Sequence, residues 1–208
     1  MKTEVIVTGH GGQGVLELAN WLAYFHLVNG RHVAYTPSYG PETRGGKVKC
    51  YVVASDEPID SPIVEVPDLL IAMNIPSLDY LPLLKSGGTL LVNSSLVQEV
   101  PGRSDVIVVE VPAIDLAAAL APYSPVPGKD TSIAANSVML GAVLAIAHDD
   151  WAREQARIEG VFRHFLTDRK AAYIPLNVQA VKSGFEFTSR LEASSVASPA
   201  PPLAATAR

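Results

Sequence analysis

Apolar residues recur along this chain in two rhythms, one of period two and one of helical period. Val5-Ile6-Val7-Thr8 lies within a short strand over Glu4–Thr8. A glycine-rich turn separates it from a helical pattern over about Gly14–Val28, where Val15, Leu18, Leu22, Phe25 and Leu27 form a broad apolar face. Asn29-Gly30 supplies the C-cap, and His32–Tyr35 reads as a second strand. Lys47–Ser55 alternates, with Val48, Cys50 and Val52 on one face, as a half-buried strand antiparallel to a neighbour does. After Pro58, Pro62 and Pro67, strands are predicted at Leu69–Met73, Thr89–Asn93 and Val106–Val111. The last is apolar enough to be covered on both faces. A short helix is predicted over Pro76–Leu84, weakened by Pro82.

The second half is helical. Ala113–Ala121 is alanine-rich. Thr131–Ala147 reads as a buried helix, with Ile133, Val138, Met139, Leu140, Val143, Leu144 and Ile146 around it. Trp151–Phe165 is amphipathic, with Arg153, Glu154, Arg157 and Glu159 outward. Pro175–Ser183 is a last helix closed by Gly184. Strands and helices alternating in this way predict an α/β fold, a three-layer α/β/α domain on a mostly parallel, mixed sheet. The domain is expected over residues 1–187. Residues 188–208 form an Ala/Ser/Pro-rich tail expected to be disordered.

Composition narrows the function. The chain has 208 residues, 48% of them hydrophobic, enough for one domain with a substantial core. A net charge of -5 argues against nucleic acid as a partner. No apolar run is long enough to cross a membrane, and Met1-Lys2-Thr3-Glu4 leads into a strand without a signal peptide, so a cytoplasmic protein is expected. The single cysteine, Cys50, excludes a disulfide framework and an iron–sulfur cluster held by this chain alone. The five histidines show no metal-ligand spacing, so no metal site is expected.

Two glycine clusters carry the candidate chemistry. Gly9-His10-Gly11-Gly12-Gln13-Gly14 sits between the first strand and the first helix. Backbone N–H groups converge at such a turn on a dipole-positive helix end, where an anion can be held. Gly9, Gly11 and Gly14 satisfy G-x-G-x-x-G, but the second strand ends Ala34-Tyr35-Thr36-Pro37 with no acid for a ribose. No Lys-Ser or Lys-Thr follows, so the loop is not a P-loop. Two readings stand: a phosphate or carboxylate contact, or simply a tight strand-to-helix turn. The second cluster, Pro37-Ser38-Tyr39-Gly40-Pro41-Glu42-Thr43-Arg44-Gly45-Gly46, is poor core material and good contact surface. Arg44 is suited to a bidentate pair with a carboxylate or phosphate, Glu42 to a basic group or to Arg44 itself, and Tyr39 to an interface. A loop satisfied internally is the alternative.

Other residues have plainer readings. Trp21 and His26 on the first helix are packing residues, His164 faces solvent, and Cys50 is a buried strand residue. Asp150, with Asp149, and Asp130-Thr131-Ser132 cap helices. Ser94-Ser95 follows a strand end and either lines a cleft or belongs to an ordinary loop.

Taken together, Gly11-Gly12-Gln13-Gly14-Val15 and Ser38-Tyr39-Gly40-Pro41-Glu42-Thr43-Arg44-Gly45-Gly46 resemble the gamma subunit of the 2-oxoacid:ferredoxin oxidoreductases. Further matches follow in order: Ser55 with Ile59 and Pro62, Pro67-Asp68, Asn136-Ser137-Val138-Met139-Leu140-Gly141, and Asn177 with Ala180 and Gly184. The resemblance spans about residues 4–187. It implies one subunit of a complex that decarboxylates a 2-oxoacid oxidatively with coenzyme A, giving acyl-CoA, CO2 and reduced ferredoxin or another reduced acceptor. It places thiamine diphosphate, Mg2+ and [4Fe-4S] clusters in alpha-, beta- and delta-type partner subunits, and no cofactor or catalytic residue on this chain. The missing cysteine sets and thiamine signature agree with that division. The resemblance assigns Gly9, Gly11, Gly12, Gln13 and Gly14 to a coenzyme A, anion or active-site contact. Tyr39, Glu42, Arg44, Gly45 and Gly46 fall to an interface or coenzyme A contact. Two other functions fit the glycine loop: a free-standing nucleotide- or coenzyme A-binding Rossmann-like enzyme, and a subunit serving assembly alone.

Overall fold

A computed structural model describes residues 1–39, 46–147 and 150–196. In chain order these form β1 (Lys2–His10), α1 (Val15–Val28), β2 (His32–Tyr39), β3 (Lys47–Ser55), β4 (Leu69–Ala72), β5 (Thr89–Asn93) and β6 (Ile107–Val111). The helices α2 (Ala113–Ala118), α3 (Ala135–Ile146), α4 (Trp151–Phe165) and α5 (Ile174–Val196) follow. Short 3-10 segments lie at Ile75–Leu83, Ala121–Tyr123, Ser132–Ala134 and Asp168–Tyr173.

The six strands form one mixed sheet in the order β2-β3-β1-β4-β5-β6. β1, β4, β5 and β6 run parallel, while β3 lies antiparallel to both β1 and β2. The mixed sheet of the expected α/β fold is therefore present, with an asymmetry. Val5, Val7, Cys50, Val52 and Ile71 point into one core with α1, α3, α4 and α5. Ile6, Val53, Leu70 and Val92 point the other way, under Val64, Leu81 and Val97 from the loops and the 3-10 segment Ile75–Leu83. Strand alternation sorts the two sets.

Several elements differ from expectation for identifiable reasons. β2 continues past Pro37 to Tyr39 because it is an edge strand, where a residue without an N–H is tolerated. β6 is the other edge and not doubly covered, and Ile107 is 58% exposed. The segment Pro76–Leu84 is a 3-10 segment, as Pro82 and the Asn74 cap on Ser77 N–H favour. The buried helix begins at Ala135 and leaves Ile133 exposed. Glu154 does not face outward but is 4% exposed. Gly184 does not end the last helix. α5 runs to Val196, taking residues 188–196 of the expected tail with it, while residues 197–208 lie outside the described residues.

That glycine has another use. A Cβ on Gly184 would overlap the carbonyl oxygen of Val138 in α3, and one on Gly141 would overlap the carbonyl oxygen of Val181 in α5. The two glycines let the backbones of α3 and α5 touch.

The remaining packing residues behave as read. Trp21 meets Phe162 edge-on at 5.1 Å between ring centroids, tying α1 to α4. His164 is exposed and stacks on Tyr24 at 4.2 Å. Cys50 is fully buried, and burial pushes its thiol up to about 11. Asp150 caps α4 by accepting from Ala152 N–H at 2.9 Å. Ser95 proves to be a cap: its Oγ accepts from Ile114 N–H and donates to Asp115.

His26 has a measurable consequence. Burial first, and then the charge of Arg31, hold its imidazole down to about 4. The unfolded chain binds this proton near pH 6.5 and the folded chain only near 4, so the unfolded state holds more protons between those values. The stabilisation is complete above pH 6.5 and is lost as pH falls toward 4, by an amount of order 2–3 kcal/mol. Urea titrations at a series of pH values should show this slope, and His26→Gln should flatten it.

Candidate functional site

β1 delivers the glycine loop to the carboxyl end of the parallel strands, where open α/β sheets bind ligands. Inside the loop, Gln13 turns back on it. Its Oε1 accepts from His10 N–H at 2.7 Å and from Asn74 Nδ2 at 2.7 Å, fixing the loop to the end of β4. Gln13 N–H donates to the His10 carbonyl at 3.2 Å. Gln13 thus works as an internal strut. Gly14 takes φ 70 as the residue before α1 and makes no side-chain cap. The first intrahelical bond runs from Leu18 N–H to Gly14 C=O at 2.9 Å, so the first-turn N–H groups of α1 have no intrahelical acceptor.

Asn136 supports the loop from the opposite side. Its Nδ2 lies 3.4 Å from the Gly14 carbonyl, and its Oδ1 accepts from Ser137 N–H at 2.9 Å. Ser137 Oγ in turn bonds Asn177 Oδ1 at 2.6 Å, and Asn177 Nδ2 donates to the Tyr173 carbonyl at 2.8 Å. A buried polar chain therefore runs from α5 through α3 to the glycine turn.

The two glycine clusters meet because β1 and β3 are neighbours. His10 pairs with Lys47 and Gly9 with Val48, and Gly11 N–H donates to the Gly46 carbonyl at 3.0 Å. Tyr39 is the last residue of β2, opposite Val48. Glu42, Arg44 and Gly45 lie outside the described residues.

A cavity of about 490 Å³ opens beside this loop, between the start of α1 and the segments leading into α3 and α5. Gly11, Gly12 and Gly14 line it together with Lys129, Lys170 and Tyr173. Lys129 Nζ donates to Tyr173 Oη at 2.8 Å and lies 5.0 Å from the ring centroid. The lining thus joins the start of a helix to two lysines, a combination that suits a phosphate or carboxylate, with Glu17 the opposing charge. Sequence reasoning missed Lys129, Lys170, Tyr173 and Asn74. No motif marks them, and only the return of the chain past α2 and α4 brings them to the loop.

The same geometry disfavours a dinucleotide site. In the Rossmann arrangement the strand after the first helix lies parallel beside the first strand and ends in an acid. Here β3 separates β2 from β1 and runs antiparallel to both. Nor do the residues fit an iron–sulfur cluster, since the single thiol, Cys50, is sealed inside the core. No helix among the described residues is long and apolar enough to cross a membrane.

Comparison with known proteins agrees with this fold. The family model for pyruvate ferredoxin/flavodoxin oxidoreductase matches residues 4–187. The ketoisovalerate oxidoreductase subunit VorA of Methanothermobacter thermautotrophicus is 35% identical over 187 residues, 89% of this chain and 36% of VorA. The chain thus spans about a third of the length of that relative. The 2-oxoglutarate synthase subunit KorC of Methanocaldococcus jannaschii is 35% identical over 152 residues, covering 71% of this chain and 76% of KorC. Among solved structures, the keto/oxoacid ferredoxin oxidoreductase gamma subunit of Geobacter sulfurreducens superimposes with a TM-score of 0.69 at 29% identity, over 89% of this chain and 98% of that one. By the span of that match and the identity of these relatives, the chain belongs to the pyruvate ferredoxin/flavodoxin oxidoreductase family.

Proposed function

We infer that this chain is the gamma-type subunit of a cytoplasmic, multi-subunit 2-oxoacid oxidoreductase. The complex breaks the bond between the carboxylate and the oxo carbon of a 2-oxoacid and joins that carbon to the sulfur of coenzyme A. It releases CO2 and passes two electrons to ferredoxin or another acceptor. The observation that carries this reading is the fit in length to separate gamma-type chains: 98% of the Geobacter gamma subunit and 76% of KorC are covered. Thiamine diphosphate with Mg2+ and the [4Fe-4S] clusters, held by alpha-, beta- and delta-type partners, supply the carbanion and electron chemistry.

The role of this chain is to bind and orient. Residues 1–187 carry it, in keeping with the family match over residues 4–187. The exposed first-turn N–H groups of α1, with Lys129 and Lys170, hold an anionic part of coenzyme A against Gly11, Gly12 and Gly14. Gln13 and Asn136 keep that surface in one shape. Gly46 joins that surface through its bond to Gly11, and we assign Tyr39, Glu42, Arg44, Gly45 and Gly46 to the contact with a partner subunit or with coenzyme A, Arg44 as the bidentate cation.

Co-expression with candidate partner chains tests the reading. The assembled complex should reduce ferredoxin only when both a 2-oxoacid and coenzyme A are present, and the isolated chain should turn over neither. Arg44→Ala should weaken assembly, or raise the KM for coenzyme A about tenfold, equivalent to ~1.4 kcal/mol. Turnover by the isolated chain would overturn the subunit reading. Unchanged assembly and coenzyme A dependence in Arg44→Ala would remove Arg44 from it.

A further inference from the structure

A second cavity, of about 470 Å³, opens at the far end of the sheet from the glycine loop. The starts of β1, β4 and β5, the last turns of α1 and α3, and the first half of α4 surround it. Its size suits a small molecule. Its lining is largely apolar, with Val5, Phe25, Leu69, Val143 and Ile146 among it. Charged side chains enter from three places. α4 brings Arg153, Glu154 and Arg157, the turn after α1 brings Arg31, and the residue before β4 is Asp68.

Asp68 and Arg31 are each balanced by a partner outside the lining. Asp68 Oδ1 accepts from Lys85 Nζ at 2.8 Å, and Oδ2 accepts from Glu4 N–H at 3.0 Å. Arg31 Nη2 donates to the carbonyls of Met1 and Ala54, and Arg31 Nε lies 3.3 Å from Asp56, which also meets the terminal ammonium of Met1. Glu154 differs, because one acid there serves two bases. Its Oε1 accepts from Arg157 Nη1 at 2.6 Å and lies 3.5 Å from Arg153 Nε. Its Oε2 is sealed in the protein without a donor, so the carboxylate acts outward only through the two arginines. A buried carboxylate so poorly satisfied is costly, and its effect here is to hold two guanidinium groups beside the apolar lining. Both are partly exposed, Arg157 at 36% and Arg153 at 71%, and each has N–H groups that Glu154 does not engage. His26, in the same lining, is neutral at pH 7. Among the described residues, α4 therefore leaves one positive charge unmatched at an apolar cavity.

We propose that this cavity binds an aliphatic monocarboxylate of medium chain length, its carboxylate on Arg157 and Arg153 and its hydrocarbon chain along the apolar lining. An amine would meet like charge at the guanidinium groups, and an alcohol would leave them unanswered. A phosphate monoester, with about two negative charges at pH 7, exceeds the single unmatched positive charge. A dicarboxylate would bury its second charge among apolar side chains. The site is separate from the glycine loop and does not depend on the function inferred above.

Titration calorimetry of the purified full chain with octanoate tests this. Octanoate should bind at a single saturable site. 1-Octanol, octylamine and octanedioate should each bind at least about tenfold more weakly, and octyl phosphate no more tightly than octanoate. Arg153→Gln and Arg157→Gln should each weaken octanoate by about three- to tenfold and leave 1-octanol unchanged. Methyl NMR of the wild-type chain gives a readout that needs no variant. Leu69, Val143 and Ile146 should shift on titration, while Val15 and Leu176, in the cavity beside the glycine loop, stay still. Absence of both heat and shifts up to about 10 mM octanoate would overturn the proposal. Equal binding of 1-octanol, tighter binding of octyl phosphate, or shifts at Val15 and Leu176 in place of the others would overturn it as well.

Discussion

Replacing Gly184 with alanine is expected to destabilise the fold by roughly 3 kcal/mol and to lower the melting temperature by about 6–12 °C. The new methyl group would overlap the Val138 carbonyl oxygen, with Val138 Cα at 3.1 Å, so backbone and not a flexible side chain must move. Gly141→Ala meets the Val181 carbonyl oxygen and should cost a similar amount. Both changes press on one crossing of α3 with α5, so their combined effect should be less than additive, as a single separation of the helices relieves both. Gly160 in α4 provides the control. A Cβ there meets nothing within 4 Å, and Gly160→Ala should stabilise by about 0.5–1 kcal/mol through helix propensity. Denaturant melts of the three single variants and the double variant decide the matter. A Gly184→Ala protein as stable as wild type would mean that α3 and α5 do not touch in this way.

The second large effect is at the glycine turn. Gly14 combines φ +70 with a Cβ position already filled by the Asn136 side chain. A valine there costs about 1–2 kcal/mol in backbone strain and displaces the amide that supports the turn. The first turn of α1 then shifts relative to Lys129 and Lys170, and small displacements of the anion site proposed there are expensive. In the assembled complex, Gly14→Val should lower kcat/KM for coenzyme A by about 10–100-fold while the complex still forms. Gly30 separates strain from site: it has φ +81 and nothing within 4 Å, and it lies at the far end of α1. Gly30→Val should cost stability without touching coenzyme A kinetics. If both variants behave alike, the loop is only a turn.

The sheet was legible wherever one face of a strand is buried and the other distinct. Lys47–Ser55 alternates because its two faces meet different cores, and its bounds are those expected. β6 misled because Val106-Ile107-Val108-Val109 is apolar whether or not anything covers it, and local pattern cannot tell an edge strand from a central one. Glu154 misled for the same reason. A helical wheel counts it with Arg153 and Arg157 on the polar side, and only the packing of α4 beside α1 shows that it is enclosed. Gly184 resembles a helix stop in any window too short to include its partner helix.

The glycine loop shows the division at its plainest. Composition, the strand and helix periods, the G-x-G-x-x-G turn and the family resemblance were all written in local sequence, because each follows from dihedral preference or from side-chain period. Which side chains face that turn was not. Asn74, Lys129, Lys170 and Tyr173 reach it from distant segments, and Gln13 becomes a strut only when β4 lies beside β1. Tertiary structure alone decided these, since contacts between distant segments depend on strand order and helix packing, which no local stretch of residues encodes.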